Sequence, residues 1–171
     1  MINFLSALAL TSYLASMPAA TVDSKDYGQY GKQPWNWQAS YDLLEVARSH
    51  GIKPTNGHQW CWDDRNLYGF MDNKKNLVLC TANIPTPSIL GEVIRHELVH
   101  AAQFCRIARG KPALVQPDRQ KEFQIYSTYE LKWSGQGYPK RQHEVEYEAR
   151  VMGNTYTESR ISSILDKECG Q

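Results

Sequence analysis

Residues 92–102 of the sequence read EVIRHELVHAA, and His96, Glu97 and His100 within them form the pattern H-E-x-x-H. Residues four positions apart lie one above the other on a helix, so both imidazoles can point at one metal ion. Glu97 follows one step round the helix, where its carboxylate can reach a water molecule beside the metal without binding the metal. The spacing therefore predicts a zinc-binding helix in which Glu97 is the catalytic base.

The residues around this pattern favour a buried helix. Apart from Arg95, the residues next to the motif are uncharged, and charges that flank a buried site would be costly. Ser88 can cap the helix after two prolines and Gly110 can end it, so we expect a helix over about residues 88–109. The alternative is a core helix with two incidental histidines, but two His and a Glu are poor core material unless they are paired.

A catalytic zinc site takes three protein ligands and leaves a position for water, so a third ligand is needed. The segment that begins at His143 reads HEVEYEAR and is expected to be helical. Glu148 is the predicted ligand, because the small Ala149 after it would let this helix pack closely against the first. Glu144 and His143 are the alternatives, and Glu146 is expected to face solvent. If Glu148 binds the metal, Glu144 would hold the second ring nitrogen of a histidine.

Two further roles at the site stay open in the sequence. Tyr147, Tyr156 and His143 are candidate donors to a transition state, and ordinary packing or surface placement explains each of them as well. The alternative for the three glutamates of the segment is that all are solvated helix charges. A substrate is expected to bind in extended form along the edge of a strand predicted at residues 76–81.

The sequence before the motif predicts both a helix and strands. Ser40 begins a helical stripe that ends at Gly51, and residues 54–57 read as a turn. Residues 67–71 and 76–81 read as the two strands of a hairpin. We therefore expect an α+β fold, with a small antiparallel sheet packed on several helices that include the H-E-x-x-H helix.

Further helices are predicted after the motif. Asp118 can cap a helix that contains Phe123, and a last helical region begins near Arg141, with Gly153 bending or splitting it. The chain of 171 residues has the size of one domain. The main domain is expected to cover residues 39–171.

The first twenty residues read as a separate segment. Residues 2–17 are apolar with few polar breaks and precede Pro-Ala-Ala, as in a signal peptide, although the usual basic start is missing. Residues 1–20 are therefore expected to be an export segment, with a retained packing helix or a short anchor as the alternatives. Residues 21–38 are expected to form an irregular arm, and contact with a membrane is expected only through residues 2–17.

The four cysteines permit two disulfides in an exported protein. We expect Cys80, at the end of a strand, to pair with Cys105 on the metal-binding helix and so tie the two elements together. An exported, secreted or membrane-associated location is favoured over the cytosol.

Charge and composition restrict the partners. A net charge of +1 gives no broad basic field, so nucleic acid is not favoured. Ten tyrosines and five tryptophans fit buried packing or a groove that grips an extended chain. The expected partner is a protein or peptide substrate in extended conformation.

The motif and the downstream Glu-Ala pair resemble those of the gluzincin branch of zincin metallopeptidases. LCTAN at residues 79–83, RHELVHA at 95–101 and QFCR at 103–106 are similar to segments of the small mitochondrial inner-membrane peptidases that process and help assemble an ATP synthase subunit, and of related bacterial and phage proteins. The resemblance covers about residues 77–109 and, more loosely, residues 144–150. It implies a zincin-like fold and a zinc peptidase of an intermembrane or exported compartment. The first sixty residues do not share it, so the family's chaperone role is not carried over.

The expected function is hydrolysis of peptide bonds by one catalytic Zn²⁺ ion, with Glu97 as general base. The alternative is a catalytically inactive zinc-binding module for assembly or structure, for example in a secreted or viral particle. A purely structural zinc site would be closed by a fourth protein ligand, which His143 or a cysteine would have to supply.

Overall fold

A computed structural model of the chain describes residues 20–21, 37–124 and 142–170. Its helices and strands are, in chain order, β1 (Ala20–Thr21), α1 (Trp37–Ser49), β2 (Lys53–Asn56), α2 (Gln59–Asp63), β3 (Gly69–Met71), β4 (Asn76–Leu79), α3 (Pro87–Ala108), α4 (His143–Thr155) and α5 (Glu158–Cys169). The predicted α+β class is confirmed. Residues 1–19 of the predicted export segment, residues 22–36 of the predicted arm and residues 125–141 lie outside the described residues.

The sheet is mixed rather than antiparallel throughout, with the strand order β1-β2-β4-β3. β3 and β4 form the predicted antiparallel hairpin, with Phe70 opposite Val78. The turn predicted at residues 54–57 was wrong, because β2 runs parallel to β4 there. The backbone N–H of Lys53 donates to the backbone oxygen of Lys75, just before β4. Because backbone groups alternate in direction along a strand, the nitrogen of Pro54 points away from β4. Proline has no N–H, so its place here costs no hydrogen bond with that strand.

The position of β4 also corrects the predicted substrate edge. β4 lies between β2 and β3, so the strand predicted at residues 76–81 has both of its edges paired. β3 is the outer strand on the side of the sheet that contacts α3. Among the described strands, β3 therefore has an outer edge on this side of the sheet and β4 has none.

The long helix α3 lies at the centre of the fold, as the sequence predicts. Thr86 rather than Ser88 caps it, because the Thr86 hydroxyl accepts a hydrogen bond from the backbone N–H of Ile89 at 3.3 Å. Gly110 follows the helix with a φ of 69°, a value that favours glycine. Leu90, Ile94 and Leu98 on its inner face are fully buried between the sheet and the C-terminal helices.

The last helical region is split between α4 and α5. The break lies at Tyr156 and Thr157, where the Thr157 side chain caps α5, and not at Gly153. Gly153 instead lies directly against His96 of α3. A Cβ atom at this position would lie 3.0 Å from backbone and Cβ atoms of His96, so the absence of a side chain lets the two helices touch.

Two disulfides are present, but the predicted pairing of Cys80 with Cys105 was wrong. Cys61 on α2 bonds to Cys80, with their Cα atoms 5.3 Å apart. Cys105 on α3 bonds instead to Cys169 at the end of α5, with a Cα separation of 5.2 Å. Each cysteine thus pairs with the element packed against it, and paired cysteines are typical of oxidising compartments. Across the described helices, none combines the length and the apolar composition that a membrane span requires.

Candidate metal centre

Three side chains from two helices converge on one point. His96 and His100 project from the same face of α3, and Glu146 projects from the first turn of α4. His96 Nε2 lies 3.1 Å from His100 Nε2. The Glu146 carboxylate lies 3.3 Å from His100 Nε2 and 3.8 Å from His96 Nε2. Within the described residues, this is the one group of His, Cys, Asp or Glu side chains arranged to hold a metal ion.

The spacing of these three groups fits a tetrahedral metal ion. Ligand atoms that each lie ~2.0–2.2 Å from one ion are separated from each other by roughly 3.3 Å. His96 Nε2 and His100 Nε2 are 3.1 Å apart, and they face different oxygens of Glu146, Oε2 at 3.8 Å and Oε1 at 3.3 Å. One ligand atom from each side chain can be chosen so that all three lie within 4.8 Å of one another, and modest side-chain rotation would bring them to a shared ion. Three protein ligands leave the fourth position of a tetrahedron available.

Glu148, the third ligand predicted from the sequence, does not belong to this group. Its fully buried carboxylate accepts hydrogen bonds from the backbone N–H groups of Val115 at 2.8 Å and Gln116 at 2.6 Å. Glu146, predicted to face solvent, is the glutamate that faces the histidines, and it is 8% exposed. The prediction that Glu146 faces solvent was wrong, and the structure does not bring Glu148 to the histidines, because residues two apart on a helix point ~200° from each other.

Sequence reasoning also missed Gln103, which contacts His100, one of the three candidate ligands. Gln103 Oε1 lies 2.7 Å from His100 Nδ1. The amide Nε2 of Gln103 donates to the backbone oxygen of Val145 at 3.0 Å and to Glu148 at 2.9 Å. Gln103 therefore holds the second ring nitrogen of His100, whereas Glu144, predicted for that role, is exposed. The available signal was position, since Gln103 lies one turn after His100 on the same helix.

The charges of the three ligands depend on one another. Burial alone would lower the pKa of His100, but the Glu146 carboxylate outweighs it and raises the pKa to about 9. Burial, followed by the charge on His100, lowers the pKa of His96 to about 3. Burial would raise the pKa of Glu146, but the charge and hydrogen bond of His100 lower it to about 2. The metal-free site thus holds a proton on His100 at neutral pH, and a metal ion must displace that proton.

Glu97 lies beside the three ligands and not among them. Burial raises its pKa to about 7, partly opposed by the charge on His100. Its carboxylate also accepts a hydrogen bond from the backbone N–H of Met71 on β3, which lowers the pKa. A carboxylate with a pKa near neutrality is suited to taking up a proton and returning it.

A cavity of about 140 Å³ opens at this group. His96, Glu97, His100 and Glu146 form one part of its wall. Gly69 and five apolar residues form the rest, namely Trp60, Leu67, Phe70, Met71 and Phe104. None of these described lining residues is Lys or Arg, so the cavity offers apolar surface next to the ligands and the carboxylate of Glu97.

The other residues predicted for the site lie elsewhere. The ring of His143 at the start of α4 lies 5.8 Å from the ring of Tyr147. The Tyr156 hydroxyl accepts a hydrogen bond from Arg119 at 2.6 Å and donates one to Gln116 at 2.8 Å. None of the three predicted transition-state donors is among the residues that line the cavity, so the structure does not bring them to the candidate metal centre.

Comparison with known proteins gives no relative of this chain, because no protein-family model, curated protein or solved structure matches it. The interpretation of the metal centre therefore rests on its own geometry and chemistry.

Proposed function

We propose that this protein is a zinc metallopeptidase in which His96, His100 and Glu146 hold the metal ion and Glu97 is the catalytic base. The observation that carries the proposal is the position of Glu97, a buried carboxylate that lines the same cavity as three convergent ligand atoms. A purely structural metal site has no use for such a base. Two imidazoles and one carboxylate form a donor set typical of catalytic zinc.

Glu97 carries the proton transfers of the proposed reaction. A zinc ion at this position would polarise the carbonyl of the substrate and lower the pKa of a water molecule. Glu97 accepts the proton of the attacking water and then delivers it to the leaving amine. Burial makes Glu97 a stronger base than an exposed glutamate, and the hydrogen bond from Met71 orients its carboxylate.

The outer edge of β3 supports binding of a peptide in extended form. The backbone groups of Tyr68 and Asp72, on either side of β3, bond to the two ends of the neighbouring strand. Alternation along an antiparallel strand therefore points the backbone groups of Gly69 and Met71 to the outer edge. Met71 uses its N–H there to reach Glu97, so a peptide added along this edge would lie next to the base.

The apolar wall of the cavity favours an apolar substrate side chain close to the bond that is cut. Trp60 and Phe70 form part of this wall, with ring centroids 4.8 Å apart. Burial of an apolar side chain against such a surface stabilises a complex by ~25 cal/mol per Å² of apolar area removed from water. Cleavage sites are therefore expected to be enriched in apolar or aromatic residues.

The test combines metal analysis with digestion of an unfolded protein by the purified full chain. Wild type is expected to bind one zinc ion per chain and to produce fragments that a chelator abolishes. Glu97→Gln is expected to retain zinc and to lose activity by a factor of about 10²–10⁴, the usual contribution of a general base. Glu92→Gln, five residues earlier on α3 and outside the cavity lining, is the matched control and should keep full activity.

The outcomes separate the rival functions. Stoichiometric zinc without cleavage would favour an inactive zinc-binding module over a peptidase. A chain that binds no zinc would contradict both. Cleavage that survives in Glu97→Gln would remove Glu97 from its proposed role while leaving the metal centre in place.

A further inference from the structure

We propose that Gln103 is a positioning residue that, held by the buried Glu148, fixes the ring of His100 with Nδ1 protonated and Nε2 directed at the metal. This inference rests on the metal centre of the proposed function and is independent of what the centre hydrolyses. It also gives Glu148 a role, since that residue lies outside the group of ligands.

The orientation of the Gln103 amide follows from its partners. Its Nε2 lies 3.0 Å from the backbone oxygen of Val145 and 2.9 Å from a carboxylate oxygen of Glu148. A backbone oxygen can only accept a hydrogen bond, so the NH₂ group of the amide must face it. The oxygen of the amide is therefore left to face His100, at 2.7 Å from Nδ1.

This orientation dictates where the proton of His100 lies. The Gln103 oxygen can only accept, so His100 Nδ1 must carry a proton in order to donate to it. When the ring is neutral, its lone pair then lies on Nε2, the atom that faces His96 at 3.1 Å and Glu146 at 3.3 Å. A hydrogen bond of this kind on the outer nitrogen is the usual device that selects the metal-binding nitrogen of a histidine.

Glu148 secures Gln103 from the side opposite His100. Its carboxylate accepts from Gln103, Val115 and Gln116, and all three donors are N–H groups. The same carboxylate thus joins α3, α4 and the chain at residues 115–116. Both Gln103 and Glu148 are buried, so water cannot easily replace a lost partner, and the amide has one well-bonded orientation.

Zinc affinity of Gln103→Met, measured in the full chain by competition with a chelator, tests the proposal. Methionine keeps the length of the side chain but removes both the acceptor for His100 and the donor to Glu148. We expect binding to weaken about 10–100-fold, as is typical for loss of a residue that orients a ligand. Gln59→Met is the matched control, since Gln59 is exposed on α2 and contacts Asp63 at 3.5 Å, and it should bind zinc as wild type does.

A spectroscopic measurement keeps the test decisive if Gln103→Met folds poorly. In ¹⁵N spectra of zinc-loaded wild type with labelled histidine, His100 Nδ1 is expected to carry a slowly exchanging proton and Nε2 to bind zinc. In Gln103→Met, that proton should exchange faster. Zinc on Nδ1 of His100 in wild type, or unchanged affinity in Gln103→Met, would overturn the proposal. Wild type that binds no zinc would instead refute the metal centre on which it rests.

Discussion

Glu146 and Glu148 lie two residues apart on α4, and both are buried, yet they face different parts of the molecule. Glu146 faces two histidines, 3.3 and 3.8 Å away, which can share a metal ion with it. Glu148 faces three N–H donors and has its hydrogen bonds fulfilled within the protein. Burial of a carboxylate therefore does not identify a metal ligand. The partners decide, since Glu146 faces ring nitrogens that can bind the same ion, whereas Glu148 faces N–H groups that can only donate.

The largest predicted difference between the two glutamates is in zinc affinity. Glu146→Ala removes one of three ligands and should weaken zinc binding about 100–1,000-fold. Glu148→Ala should weaken it only about 10-fold, because it acts on His100 through Gln103. Chelator competition on the two variants measures the ratio. A larger loss in Glu148→Ala than in Glu146→Ala would reverse the roles assigned here.

For the free energy of unfolding of the metal-free protein, the order of the two variants should be reversed, with the larger loss in Glu148→Ala. Glu148→Ala leaves three N–H groups without their acceptor, and each buried unsatisfied group costs ~1–3 kcal/mol, so we expect a loss of about 3 kcal/mol or more. Glu146→Ala removes one partner of a buried ion pair, but His100 can then lose its proton instead of remaining an unpaired buried charge, so the loss should be smaller, about 1–2 kcal/mol. Urea unfolding in the presence of a chelator gives both values. Equal losses would argue that Glu148 is not a structural anchor.

Proton release on zinc binding is a third property that should depend on Glu146 and not on Glu148. At pH 8 the metal-free His100, with its pKa raised to about 9, still carries the proton that zinc must expel, whereas Glu97, with a pKa of about 7, is mostly ionised. Binding should release at least the one proton of His100, and affinity should rise about tenfold or more per pH unit from pH 7 to 9.

Calorimetry in buffers of different ionisation enthalpy counts the protons. Glu148→Ala should retain this release, because the pKa of His100 is raised chiefly by Glu146. Release of no proton at pH 8 in wild type would contradict the charge state described for the metal-free site.

The smallest expected effect comes from the contact that brings Glu146 to the histidines. A Cβ atom at position 153 would lie 3.0 Å from His96, so Gly153→Ala should push α4 from α3 and cost about 1 kcal/mol in stability, with a loss of zinc affinity of a few fold. Asn154→Ala, at the next and exposed position, is the control. Thermal unfolding and chelator competition are sufficient, and a Gly153→Ala variant identical to wild type would show that the helix contact is adaptable.

The sequence was sufficient to predict the elements whose pattern is local. The H-E-x-x-H spacing predicted the helix that carries His96 and His100, and the apolar runs around residues 72–75 predicted the β3–β4 hairpin. Both are short-range patterns, in which the positions of the side chains follow from helix or strand geometry alone.

The third ligand and the cysteine pairs depend on long-range packing, and there the sequence was insufficient. The choice of Glu148 relied on its neighbour Ala149, but the face of α4 that contacts α3 carries Glu146. Glu146, Ala149 and Gly153 are spaced i, i+3 and i+7, so they form one stripe of α4, and two of them are small enough for close contact with α3. That stripe was a usable signal for Glu146. The pairing of Cys105 with Cys169, 64 residues apart, had no comparable signal.

The most direct test of the metal centre is the anomalous X-ray signal of zinc in crystals of the full chain grown with the metal. The structure predicts one zinc ion ~2.0–2.2 Å from His96 Nε2, His100 Nε2 and a Glu146 oxygen, with Glu148 still bonded to the backbone at residues 115–116. Zinc bound to Glu148, or absent from His96 and His100 in a crystal that holds zinc elsewhere, would contradict the assignment.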